Sequence, residues 1–127
     1  MFSTLDVFQT AYDMARHAGA RQAVVARNIA NADTPGYRAQ EIAPFRDHVR
    51  AGTTVTAQAT RAGHLASTTV HAPPRPHNSN AEPTPNGNSV SLELELMTAT
   101  EVQREHGRAL AIYRHSLDLL RSSIGRR

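Results

Sequence analysis

The side chains best suited to bind a metal or move a proton in this chain are seven histidines and the carboxylates of Glu93, Glu95 and Glu101. His71 and His77 are separated by a proline-rich stretch. His106 and His115 lie roughly 13 Å apart along a helix axis at ~1.5 Å per residue. Neither spacing converges on one ion, so solvated or seam histidines are expected. The three glutamates fall on an amphipathic stretch, where a solvated face is the simpler reading. There is no Cys, which removes disulfides, thiolate nucleophiles and Cys-based metal sites. No Ser sits in a nucleophile-elbow pattern, and no glycine-rich phosphate loop occurs. The residue pattern therefore offers no catalytic, cofactor-binding or metal constellation.

Bulk properties narrow the field further. All fourteen basic residues are Arg, yet the formal net charge is only +3. Arg16, Arg21, Arg27, Arg104, Arg108 and Arg114 are spread among acidic neighbours and are not clustered with aromatics, unlike a nucleic-acid platform. The terminal "RSSIGRR" could meet anionic lipid or an acidic partner, but it also complements a helix dipole, which is the preferred reading. The first residues lack a basic n-region and a continuous apolar core, so no Sec-type signal peptide is expected. No run approaches the ~18 apolar residues of a membrane span.

Two segments carry helical periodicity. In residues 4 to 31, Leu5, Phe8, Tyr12, Ala15, Gly19, Ala26 and Ile29 form a heptad-like stripe interrupted by Gln22. Ser3 or Thr4 could cap its start, with Asp6 in the first turn. In residues 91 to 124 the same steps run through Leu96, Ala99, Gln103, His106, Leu110, Tyr113, Leu117, Leu120 and Ile124, with Ser91 as a plausible N-cap. At ~1.5 Å per residue the helices reach roughly 40 and 50 Å. An antiparallel register would set Leu5 against Ile124, Tyr12 against Leu117, Gly19 against Leu110 and Ala26 against Gln103, with Gln22 beside His106 in a polar layer. Packing of each stripe against other subunits is the alternative. A second stripe on the first helix, through Val7, Ala11, Met14, Ala18 and Val25, calls for contacts beyond one partner. Between the helices, residues 51 to 89 are rich in Thr, Ala, Pro, Asn and Gly, with Leu65 an isolated large aliphatic; at most a short β element is expected around Thr53 to Gln58. The expected fold is all-α: two long terminal helices in an antiparallel, coiled-coil-like hairpin with a variable, largely irregular middle. Its parts are an N-terminal helix (1 to 31), a turn and extended segment (32 to 50), an irregular or disordered linker (51 to 89) and a C-terminal helix (90 to 127).

The most specific local chemistry lies where the first helix stops. In "NIANADTPGY", Thr34 is pushed toward extended geometry by the following proline, Pro35 fixes φ for the second turn position, and Gly36 supplies positive φ for the third. "TPGY" therefore reads as a type II turn. Asn31 could take a left-handed conformation, Asn28 or Asp33 could bond backbone groups at the helix end, and Tyr37 would fold back as an anchor. A helix stop and nothing more would also fit.

"ARNIANADTPGYRAQ" resembles the N-terminal signature of the flagellar rod and hook family of axial proteins, and "NGNSVSLELELM" at residues 86 to 97 extends the likeness. It covers residues 5 to 45 and 86 to 124. The matching positions are Asn28, Ile29, Ala30, Asn31, Thr34, Pro35, Gly36 and Tyr37 at the turn, and Gly87, Asn88, Val90 and Leu96 at re-entry into the second helix. Leu94 departs from the pattern, and Gln103 with His106 softens the second stripe. The resemblance implies a structural protein without catalysis, cofactor, metal or small-molecule ligand, exported unfolded through the flagellar type III apparatus. Its terminal helices would pack into the inner tube of the periplasmic rod, beside copies of itself, other rod proteins and the membrane-ring and export base. It would bind no nucleic acid and would not itself span the membrane. Helix packing would then fall to Leu5, Phe8, Tyr12, Leu96, Leu110, Tyr113, Leu117, Leu120 and Ile124. A small helical adaptor or export chaperone that grips one client helix would use the same stripes.

Overall fold

In a computed structural model of the chain, the structure describes residues 2–50, 54–56, 61, 69–71 and 73–125, with side chains described for 6–50, 61 and 73–125. Two long helices dominate, α1 (Phe2–Ala30) and α2 (Leu92–Ile124). They run antiparallel, since the end of α1 meets the start of α2 at Asn28 and Glu95, while Phe8 meets Tyr113 further along. The hairpin expected from periodicity is therefore present. Helix α1 begins at Phe2, so Ser3 and Thr4 lie inside it and its first turn holds no acidic residue. Ser91 does occupy the N-cap position of α2, though its side chain makes no capping bond.

The face on which the hairpin closes differs from the expected one. Ala11, Ala18 and Val25 are buried on α1, and Val102, Ala109 and Ser116 on α2, both sets at heptad spacing. Arg21 and Asn28 continue the α1 set in three-four steps. They bond Glu105 and Glu95, which continue the α2 set. Each helix is thus turned by one residue, about 100°, from the seam drawn through its largest side chains. What seemed a secondary stripe on α1 is the hairpin seam. The expected polar layer of Gln22 and His106 is replaced by its neighbours, Arg21 and Glu105, whose Nη1 and Oε2 lie 2.6 Å apart. Small residues win the seam because two backbones can approach closely over Ala and Ser, gaining more continuous van der Waals contact.

The large stripe residues lie beside the seam. Phe8 and Tyr113 touch edge to face at a centroid distance of 5.2 Å, so both stripes flank the seam on the same side of the hairpin. Leu110, Leu117 and Leu120 are half-buried there, whereas Tyr12, Leu96 and Ile124 are 56%, 52% and 79% exposed. The side chain of Leu5 lies outside the described residues.

The middle is short-stranded and includes elements the composition did not announce. A short helix of a turn and a half, α3 (Phe45–Arg50), follows the strand β1 (Gln40–Glu41) within the segment expected to be extended. Strand β2 (Thr54–Thr56) falls inside the anticipated β element and pairs antiparallel with β3 (Thr69–His71). Strand β4 (His77–Asn78) pairs with β1, matching Gln40 to Asn78 and Glu41 to His77. The remainder of Thr53 to Gln58, and Leu65, lie outside the described residues.

Candidate functional site

The junction after α1 is built around two buried asparagines. Asn28 is 1% exposed and Asn88 is 2% exposed, and burial on that scale is tolerable for a carboxamide only if its donors and acceptor are used. Asn28 Nδ2 donates to the carbonyl of Gln40 at 2.7 Å and to Glu95 Oε1 at 2.8 Å. Its Oδ1 accepts from Gln40 N at 3.1 Å and from the Tyr37 hydroxyl at 3.2 Å. One side chain therefore uses its full hydrogen-bonding capacity while joining the end of α1, the exit strand β1 and the start of α2. The amide bonds Gln40 as a neighbouring strand would.

Asn88 does the complementary work on the free carbonyls left by the end of the helix. Its Nδ2 lies 3.0 Å from Asn31 O, 2.7 Å from Ala32 O and 2.9 Å from Thr34 O. Its Oδ1 accepts from Val90 N at 2.7 Å. Thus the returning chain caps α1 from outside. Asn31 also contributes, with Nδ2 donating to Arg27 O at 2.8 Å. It does not adopt the left-handed conformation that sequence alone allowed, because no described residue other than glycine has positive φ. Capping by Asn88 removes the need for it.

The Thr34 to Tyr37 turn closes with Tyr37 N donating to Thr34 O at 3.3 Å, and Gly36 has φ +73° as the third position of a type II turn requires. A second turn lies against it. Gly87 has φ +81°, and a Cβ there would come 3.3 Å from Gly36 Cα. Gly36 N donates to Asn86 O at 3.1 Å, and Ser89 N donates to Tyr37 O at 3.1 Å. Ser89 Oγ accepts from Ala39 N at 2.9 Å. Two glycine turns, one leaving α1 and one entering α2, are thereby clasped backbone to backbone.

Of the sequence-derived turn positions, Asn28, Asn31, Thr34 through its backbone, Gly36 and Tyr37 meet in this clasp. Ile29 is half-buried on α1, and Ala30, Thr34 and Pro35 are exposed. Glu95 departs from the solvated face assigned to it: it is half-buried, and burial raises its carboxyl pKa, opposed by the Asn28 hydrogen bond and reinforced by the nearby Glu41 carboxylate. Glu93 and Glu101 are exposed as expected. Gln40, Asn86 and Ser89 were not singled out from sequence; the density of Asn, Gly and Ser in "PNGNS" was the one local signal for Asn86 and Ser89, and Gln40 had none.

Elsewhere, His17 is buried with its pKa lowered to about 4, by burial first and then by the charges of His48 and Arg21. The described residues hold no cluster of His, Cys, Asp or Glu able to bind a metal, and no described helix is long and apolar enough to cross a membrane. The geometry transmits shape. It fixes the angle and spacing between a helix end, an exit strand and a returning helix.

Residues 17–38, the second half of α1 with its terminating turn, match a family model described as flagella basal body rod protein. No curated protein matches the chain. The matched segment contains Asn28 and Gly36, the α1-side halves of both elements of the clasp. The match supports a structural subunit of the flagellar rod within the basal body, acting by assembly with other rod components.

Proposed function

We propose that the chain is a structural subunit of the proximal rod of the bacterial flagellum, corresponding to FlgB. Its two terminal helices would assemble into the helical tube that carries torque across the periplasm. The observation that carries this reading is the Asn28 and Asn88 clasp at the end of the family-matched segment. A helical array is made of heterologous contacts in which any angular error repeats at every step, so a subunit that builds one needs a fixed angle where its chain leaves the tube. The apolar strip of Phe8, Tyr12, Tyr113, Leu117 and Leu120 on one side of the hairpin, continued by Leu96 and Ile124 on α2, supplies surface for such contacts. Leu110 extends the packing set, and the Leu5 side chain, expected in it from sequence, lies outside the described residues.

The partners on this reading are further copies of the chain, the rod proteins FlgC, FlgF and FlgG, and FliE with the membrane-ring and export-gate base. Export would proceed through the flagellar type III apparatus. FlgC, the other proximal rod protein, is the nearest competing assignment. The test is deletion of the gene in its source bacterium, with complementation. Loss of motility, with basal bodies that lack a completed rod and are restored by the wild-type gene, is expected. Full motility in the deletion strain would overturn the assignment, and complementation by FlgC would shift it to that protein.

A further inference from the structure

One buried group takes no part in the junction. His17 on α1 is 2% exposed, and among the described residues neither ring nitrogen meets a partner in full hydrogen-bonding geometry, although the Ala43 backbone is near enough to favour the protonated ring. Its ring packs against Phe45 at 5.4 Å and 66° and against His48 at 5.4 Å and 42°. Both belong to α3, a six-residue helix with no buried residue of its own. A helix so short has little intrinsic stability, so its seating depends on what it rests upon. Here that is an imidazole.

We propose that His17 is an acid-released latch: its neutral ring seats α3 against α1, and protonation of that ring frees α3. The surrounding groups set the sign. On α1, Asp13 and Arg16 line the same crevice, and Arg21 stands one turn further along, bound to Glu105 of α2. His48 faces the ring from α3, and the other described residues of the wall, Phe45, Pro73 and Pro74, carry no charge. Among the described residues Asp13 is the one carboxylate lining the crevice, and it lies 4.0 Å from Arg16. The Ala43 carbonyl favours the protonated ring, but burial and the charges of His48 and Arg21 outweigh it, holding the pKa at about 4 against the ordinary 6.5. A ring freed from the crevice regains its ordinary affinity for protons, so acid favours the open form. The seat is secure above the ordinary value and is lost as pH falls from there toward the depressed one.

The test is amide exchange of residues 42–50 in the full chain, corrected for intrinsic chemistry, between pH 7 and pH 4.5. Linkage through the two pKa values predicts that opening rises roughly fifty-fold over that range. In His17→Phe, which keeps an aromatic ring and removes the titration, that rise should disappear. Ring-proton NMR of the wild type gives a second readout that needs no variant: the His17 resonance should titrate well below pH 6. An unprotected α3 at pH 7, a response unchanged in His17→Phe, or a His17 ring titrating near 6.5 would each overturn the latch. A response abolished only in His48→Phe would also overturn it, by transferring the switch to His48.

Discussion

Asn28 combines four hydrogen bonds with near-complete burial, so its truncation strands several partners at once. Asn28→Ala should destabilise the chain by on the order of 3 kcal/mol, since each buried group left unpaired costs about 1 to 3 kcal/mol. The urea midpoint should fall with little change in slope. Asn28→Asp is a sharper test. It replaces a donor to Glu95 with a second carboxylate, so its deficit relative to wild type should be larger at pH 7 than at pH 5, where one of the pair can hold a proton. The glycines can be ranked as well. Alanine at either must adopt positive φ, which costs about 1 to 2 kcal/mol, but only at Gly87 would its Cβ also press against the backbone of Gly36. Gly87→Ala should therefore lower the melting temperature more than Gly36→Ala; equal losses would mean that the two turns do not touch.

Among the elements, both helices and the turn between α1 and β1 were legible because each rests on local rules: three-four periodicity, and a Pro-Gly pair with its fixed and positive φ. The face on which the helices meet was not. Periodicity locates the largest apolar side chains, and Leu96 and Tyr12 marked an evident stripe, yet the hairpin closes over Ala11, Ala18, Ala109 and Ser116. Composition cannot separate a seam that needs close approach from a strip left for another partner. Helix α3 was missed for a related reason, since its seat is an imidazole supplied by a distant part of the chain. Asn88 was identifiable only through resemblance, because capping across a long sequence separation leaves no local spacing. The seam makes its own prediction. Ala109→Leu should cost about 1 to 3 kcal/mol by overpacking. Glu105→Gln should also be costly, about 3 kcal/mol, by leaving Arg21 without its charge partner, while Arg21→Met with Glu105→Leu should recover most of that loss. Urea denaturation of these variants beside the wild type checks both.

On the proposed rod reading, the seam sets the stability of the whole molecule and the strip its assembly. Leu96→Ala, at a position 52% exposed, should change the stability of the isolated chain by less than about 0.5 kcal/mol, yet reduce swimming when it replaces the wild-type gene. Ala109→Leu should do the reverse in magnitude, lowering stability far more. Whether the chain is a rod subunit is decided by quantitative mass spectrometry of hook and basal bodies purified from the source bacterium. Peptides of the chain that persist through stringent washing at a fixed, small number of copies per structure are the predicted result. Their absence from those structures, together with abundance in the cytosol, would contradict it.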